Sequence, residues 1–436
     1  MPEINSGDTA WMLTAAALVM FMTPGLGFFY AGFTRSKNVL GTIMQSYIVV
    51  GLVGIQWVVI GYSLAFGPTV GGIIGNLDFL FLKDVGIGPS DVTVVTNVVD
   101  GESVPLTWTP TIPHEAFMIF QAMFAIITPA LITGAFAERA KFSTFLVFML
   151  AWSLFVYDPV AHWVFGAGWL GINDAGGVNA LDFAGGTAIH VNAGAAALAA
   201  ALFYGKRKGF GQVPMEPHNV TYIVLGAAIL WFGWFGFNAG SAGAANGQAA
   251  NAFVVTNTAA AAAALSWMFA SWALTGKASV IGAAAGAVAG LVAITPASGF
   301  VEPWAAIIIG GVAGTLCYLA VRLRERSNID DSLDVVAVHG VGGMWGALAT
   351  GIFATAAIGA AGAGTGIDGL IEGEASQVVD QLIAIGVVFI YSFGVTSIIL
   401  KVLDLTMGLR VTEEEEELGL DVTQHGERGY VLDSGA

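Results

Sequence analysis

Residues Leu181–Gly194 read LDFAGGTAIHVNAG: an aspartate, a glycine pair, and a histidine eight positions after the aspartate, set in a strongly apolar chain. The run 186–204 that contains the histidine is long enough for a bilayer crossing, which takes about 20 apolar residues as a helix. A titratable ring there is costly unless it faces protein or water, so it marks a place where something happens. The same texture recurs on both sides, apolar runs broken by short polar loops. The expected spans are 9–33, 39–66, 114–137, 143–161, 186–204, 220–240, 251–275, 279–297, 301–321, 335–356 and 379–406.

Composition agrees. The 436 residues are 56% hydrophobic and 11% charged, where soluble domains carry about 25% charged residues. The 59 glycines suit helices that pack backbone to backbone in lipid. We therefore expect an all-α membrane protein of eleven helices, residues 1–406, followed by a tail, residues 407–436. Cys317 is the only cysteine, so neither an intrachain disulfide nor a Cys-rich metal site is available. No cofactor or metal is expected. The net charge of −16 disfavours a nucleic-acid partner, which would need basic patches. Acids such as Asp78, Asp84, Asp91, Asp100 and Glu102 crowd one loop, and an acidic surface suits concentrated salt, where repulsion is screened.

Basic residues alternate along the chain. Arg35 and Lys37 follow the first span, Arg139 and Lys141 the third, Lys206, Arg207 and Lys208 the fifth, Lys277 the seventh, and Arg322, Arg324 and Arg326 the ninth. The intervening loops hold Lys83. The positive-inside rule then puts the N-terminus outside and the C-terminus in the cytoplasm. The long loop 67–113 falls outside and reads as a hairpin or lid. The five glutamates Glu413–Glu417 read as a solvated acidic run.

A second intramembrane histidine, His339, lies in the tenth span, in VVAVHGVGG. Each histidine has an aspartate on its N-terminal side, Asp182 before His190 and Asp334 before His339. Five spans separate the two histidines, an odd number, so the two halves would be inverted. Such repeats place a site between the halves near the midplane. Two neutral imidazoles can bond to each other and still offer one polar edge each to a lumen. Asp182 at a helix start also suits a cap on the free N–H groups. Phe120 and Phe124 lie one turn apart on the third span, and WFGWFGFNAGSAGAAN places Phe237 just before Ser241. Ring faces attract a cation by about 0.5–2 kcal/mol, and a hydroxyl can accept a hydrogen bond from it.

Nearly the whole chain resembles the ammonium transporter (Amt/Mep/Rh) family, in its prokaryotic Amt branch. The likeness rests on FMTPGLGFFYAGFTRSKNVL, GAFAERAKFS, LDFAGGTAIHVNAGAAALAAALFYGKRKGFG, GWFGFNAGSAGAAN, DVVAVHGVGGMWGALATGIF and LTMGLRVTEEEEELGLDVTQHGE. The resemblance implies a homotrimer in the cell membrane with one pore per subunit, carrying NH4+ or NH3 (methylammonium as analogue). It implies His190 and His339 as pore histidines, Phe124 and Phe237 as a gate, and an outer site of Phe120, Ser241, Phe165 and Asp182. It implies a tail that meets PII-type signalling proteins. One position departs: HWVFGAG carries Phe165 where the family usually has tryptophan, which predicts weaker cation recruitment. The chain carries no Walker motif, so a gradient drives transport. The alternatives are an ammonium sensor working through the tail, and a membrane-embedded enzyme, which would need a clustered nucleophile or metal constellation.

Overall fold

In the computed structural model, residues 3–89, 93–99, 102–107, 111–172, 177–361 and 366–430 are described. Asp91, Asp100 and part of the Gly-rich approach to the fifth span lie outside them. The chain is a predominantly helical, multi-pass membrane protein. Among the described residues, ten helices are long and apolar enough to cross a bilayer: Ser6–Phe33, Ser36–Phe66, His114–Phe136, Phe142–Val164, Gly186–Tyr204, Val220–Gly240, Gly247–Thr275, Pro303–Glu325, Val336–Phe353 and Ser376–Thr406. A shorter apolar helix, Val280–Ile294, completes the eleven expected spans, numbered 1–11 below in chain order.

The boundaries follow cap chemistry more than hydropathy. Span 7 starts before its apolar run because the Asn246 side chain accepts from the Ala249 N–H, the usual role of an N-cap asparagine. It stops at Gly276, whose φ of 77° is a left-handed conformation that suits glycine. Span 9 begins with Pro303 at its first turn and runs on past the apolar stretch to Glu325. Arg322 and Arg324 in that last turn complement the negative end of the helix dipole.

Two crossings hold the halves together. A Cβ on Gly226 would lie 2.3 Å from the Phe29 nitrogen, and one on Gly32 would lie 2.7 Å from the Asn219 carbonyl oxygen, so spans 1 and 6 touch through their backbones. A Cβ on Gly194 would lie 2.3 Å from the Gly340 Cα, so spans 5 and 10 touch as well. Spans 1 and 6, and spans 5 and 10, are the equivalent pairs of a five-plus-five inverted repeat. Close approach through small residues is the usual packing device in lipid.

One end of the bundle carries two antiparallel hairpins from the loop 67–113, β1 (Thr69–Val70) with β2 (Ile74–Gly75), and β3 (Thr93–Val99) with β4 (Glu102–Thr107). The other end gathers the basic loops. There Glu138 accepts from Arg35 Nε at 3.0 Å and Arg207 Nη1 at 3.3 Å, and Arg207 Nη2 meets Asp330 at 2.8 Å. Burial pushes the Glu138 and Asp330 carboxyls up, but the guanidinium partners outweigh it and hold both below their usual range.

The acidic run differs from expectation: it docks on this end. Thr412 and Glu415 form a capping box that starts the helix Glu413–Leu418, a reciprocal arrangement that satisfies two free N–H groups. Glu416 is buried, bound to Arg410 Nη2 at 2.7 Å and to the Lys208 N–H at 2.6 Å. Further on, the Gly41 N–H donates to Asp421 Oδ1 at 2.8 Å. The run is not simply solvated because basic loops supply partners for its carboxylates.

Candidate functional site

Both histidines sit on π-helical turns, Gly186–Val191 in span 5 and Val336–Val341 in span 10. Such turns insert one extra residue into a helix and often accompany functional positions. Gly343 lets the spans close here, since a Cβ on it would lie 2.9 Å from the His190 Cβ. The rings meet with Nδ1 atoms 3.2 Å apart and ring centres 5.3 Å apart. His190 Nε2 is buried and has no hydrogen-bond partner among the described residues. Trp234 lies against the His190 ring at 5.5 Å and is itself tied by its Nε1–H to Thr295 Oγ1 at 2.9 Å.

The lumen at this level is walled by Leu26, Ile127, Leu230 and the two histidines, and leaves about 10 Å³ for the centre of a water-sized sphere. That is close to what a single water requires. Past His339 it opens into a vestibule of about 340 Å³ at the basic end. On the other side of His190 stand Phe237 and Phe124, their ring centres 4.3 Å apart and tilted by 35°. Phe120 meets Phe124 edge-on at 4.9 Å. It also lies over Gly240, where a Cβ would come within 2.7 Å of the ring. Ser241 donates its hydroxyl to the Phe237 carbonyl at 2.9 Å, leaving its lone pairs for a donor. So Phe120, Phe124, Phe237 and Ser241 come together at the hairpin-end mouth of the lumen that His190 and His339 line.

Phe165 and Asp182 stand differently. The Phe165 ring is partly buried in the apolar clusters and pairs with no other ring among the described residues. Its neighbour Trp163 is held elsewhere, with Nε1–H donating to the Ile73 carbonyl at 2.7 Å and its ring against Tyr391 at 4.6 Å. Asp182 uses both carboxylate oxygens on the start of span 5, accepting from Gly185 (2.8 Å), Gly186 (2.7 Å), Thr187 (2.8 Å) and Ala188 (3.0 Å). Burial pushes its pKa up while these four N–H donors pull it down, and burial prevails.

Asp182 has a counterpart other than the one expected. Asp334 is not it, because its carboxylate pairs with Arg324 at 2.6 Å. Asp331 is, since its Oδ2 accepts from the Val336 N–H at 2.8 Å at the start of span 10. It precedes His339 by the same eight residues that separate Asp182 from His190. The equal spacing was the available signal. The role of Trp234 had none, because its ring meets His190 only through the crossing of spans 5 and 6.

The Ammonium Transporter Family matches residues 10–430. The chain belongs to this family. An ammonium transporter of Bacillus subtilis is 48% identical over 98% of this chain and 99% of its own. The crystal structure of Candida albicans Mep2 superposes with a TM-score of 0.85 at 40% identity, over 99% of this chain and 92% of that one. A structure described as a sensor Amt protein matches with a TM-score of 0.83 at 29% identity, over 96% of this chain and 98% of that one. For a member of the ammonium transporter family the site needs to handle a small nitrogen hydride.

Proposed function

We propose that the chain takes up ammonium by collecting NH4+ at an outer site of Phe120, Ser241, Phe165 and Asp182 and passing NH3 through the lumen of His190 and His339. The observation that carries the reading is the 3.2 Å contact between the two Nδ1 atoms inside a bore with room for about one water. Desolvating a cation there is unfavourable, so NH4+ gives up a proton at the mouth and the neutral product enters. The touching rings of Phe124 and Phe237 act as a gate against hydrated ions. The proton passes to water at the mouth, and from there it either returns to the bulk or crosses by way of the imidazole nitrogens. We read the hairpin end as outside and the basic end as cytoplasmic, in line with the positive-inside rule.

Residues 1–406 form the transport domain and 407–436 the cytoplasmic tail, in a homotrimer with one pore per subunit. A PII-type protein is the partner expected at the basic end, where the tail is docked. The deciding experiment is current and pH change in proteoliposomes on solid-supported membranes, with ammonium and methylammonium. Substrate-dependent signals lost in His190→Ala and His339→Ala support transport, and vesicles no leakier than empty ones overturn it. The sensor reading, which the match to a sensor Amt protein favours, predicts ammonium binding without flux.

A further inference from the structure

Among the described residues the helices contain four π turns. Two carry the pore histidines. The other two, Trp57–Gly61 in span 2 and Ser153–Tyr157 in span 4, lie outside the lumen lining, although such turns often mark functional positions. They flank one polar contact. Gln56 stands just before the first turn and Asp158 just after the second, and Gln56 Nε2–H donates to Asp158 Oδ2 at 2.8 Å. The Gln56 amide lies against Gly61, where a Cβ would come within 2.8 Å of Nε2 and 2.9 Å of Oε1. The inverted repeat shows that such a crossing does not require a polar pair. The images of spans 2 and 4 are spans 7 and 9, which are unbroken α-helices. They touch through their backbones: a Cβ on Gly310 would lie 2.1 Å from the Ala259 carbonyl oxygen, and one on Gly314 2.3 Å from that of Ala263.

The contact is short of one hydrogen. Asp158 is 0% exposed and Gln56 7%. Asp158 Oδ1 and Gln56 Oε1 are both buried with no hydrogen-bond partner among the described residues, and no charged side chain there stands near Asp158. An ionised carboxylate without a counter-charge is costly to bury. A carboxylic acid instead has one O–H donor and keeps acceptor capacity on its other oxygen. Each orphaned oxygen shares its carbon with an atom of the existing bond, as a cyclic acid–amide pair requires. A hydrogen on Asp158 Oδ1 would satisfy both.

We propose that Asp158 is a neutral acid donating its Oδ1–H to Gln56 Oε1, and that this two-bond pair positions the outer ammonium site. The site itself rests on the proposed transport reading. Trp57, beside Gln56, is fully buried, lies 6.2 Å from the Tyr157 ring and gives its Nε1–H to the Met118 carbonyl at 3.3 Å, two residues before Phe120. Asp158 opens the helical stretch Asp158–Val164, which ends at Phe165. The pair thus fixes the segments that carry two rings of the site.

The test combines infrared spectra of the full-length protein in vesicles at pH 7 with ammonium flux. The wild type minus Asp158→Asn difference should show one lost carbonyl stretch of a protonated carboxyl. Asparagine can make both bonds, so Asp158→Asn should keep the half-saturating ammonium concentration near wild type. Asp158→Leu should raise it about fivefold or more, as misplaced binding groups do. The exchange Gln56→Glu with Asp158→Asn puts the acid on the other partner and should restore both the band and the half-saturation. It carries the test if Asp158→Leu does not fold. No lost band, or Asp158→Asn as impaired as Asp158→Leu, overturns the neutral pair. A lost band with Asp158→Leu at wild-type half-saturation supports the pair and overturns its positioning role. The infrared measurement needs no ammonium, so a lost band in vesicles without flux overturns the transport reading and leaves the pair standing.

Discussion

His190 and His339 face each other Nδ1 to Nδ1 at 3.2 Å, so at most one of those two atoms carries a proton. When both rings are neutral, the one that donates presents a bare Nε2 and the one that accepts presents an Nε2–H. The lumen therefore offers one acceptor and one donor, which ammonia can match and an alkali cation cannot. Removing one ring leaves the other with a buried, unpaired nitrogen, a loss of about 1–3 kcal/mol. We expect His190→Ala and His339→Ala each to lower ammonium flux by roughly tenfold or more, since about 1.4 kcal/mol is a factor of ten. The double variant should be far less impaired than the product of the single effects, as for any coupled pair. Initial rates in proteoliposomes check this, and fully multiplicative losses would refute the shared bond.

The two caps are unequal. Asp182 accepts four N–H groups, and Asp331 Oδ2 takes the Val336 N–H while Oδ1 is buried without a hydrogen-bond partner among the described residues. A lost cap costs about 0.5–2 kcal/mol, and hydrogen bonds to a charged group about 1.5–3. Asp182→Ala should therefore lower the apparent melting temperature in detergent more than Asp331→Ala does. Equal shifts would mean that the four donors find other partners.

Much of this was legible from the chain alone. The spans were readable because hydropathy and alternating basic loops reinforce each other, as at Arg35, Arg139 and Arg207. The aromatic mouth was readable because Phe120 and Phe124 share a helix face and Phe237 and Ser241 share another. The true partner of Asp182 was obscured by Asp334, which lies nearer to His339 but turns to Arg324. The docking of Glu416 was hidden because a run of like charges reads as solvated, and its partners Arg410 and Lys208 become neighbours only through the fold. Trp234 faces the lumen by helix crossing, which no local pattern encodes.

Phe165 marks a specificity test. Tryptophan is the better cation–π partner, by a share of the roughly 0.5–2 kcal/mol that such contacts provide. Trp163 is committed to the Ile73 carbonyl and Tyr391, so it does not substitute. Phe165→Trp should lower the half-saturating ammonium concentration by about two- to tenfold without raising the maximal rate. An unchanged half-saturation would place Phe165 outside the recognition site.

At the basic end the buried ions predict a pH signature. Glu138 and Asp330 have folded pKa values held below normal by Arg207 and its neighbours once burial is overcome. A depressed carboxylate pKa adds stability above the unfolded value, about 3.9–4.3, and that stability is lost as pH falls through the folded value. Arg207→Met removes the shared partner and leaves two buried carboxylates short of a counter-charge. Breaking a buried pair in this way costs about 3–5 kcal/mol. The variant should melt well below wild type at pH 7, and the gap should narrow below about pH 4 as both carboxyls take up protons. Because Asp330 adjoins Asp331, the cap of span 10, the same variant should expose the tail at Arg410 to trypsin and slow ammonium flux together. Loss of stability with unchanged flux would separate the ion network from the pore.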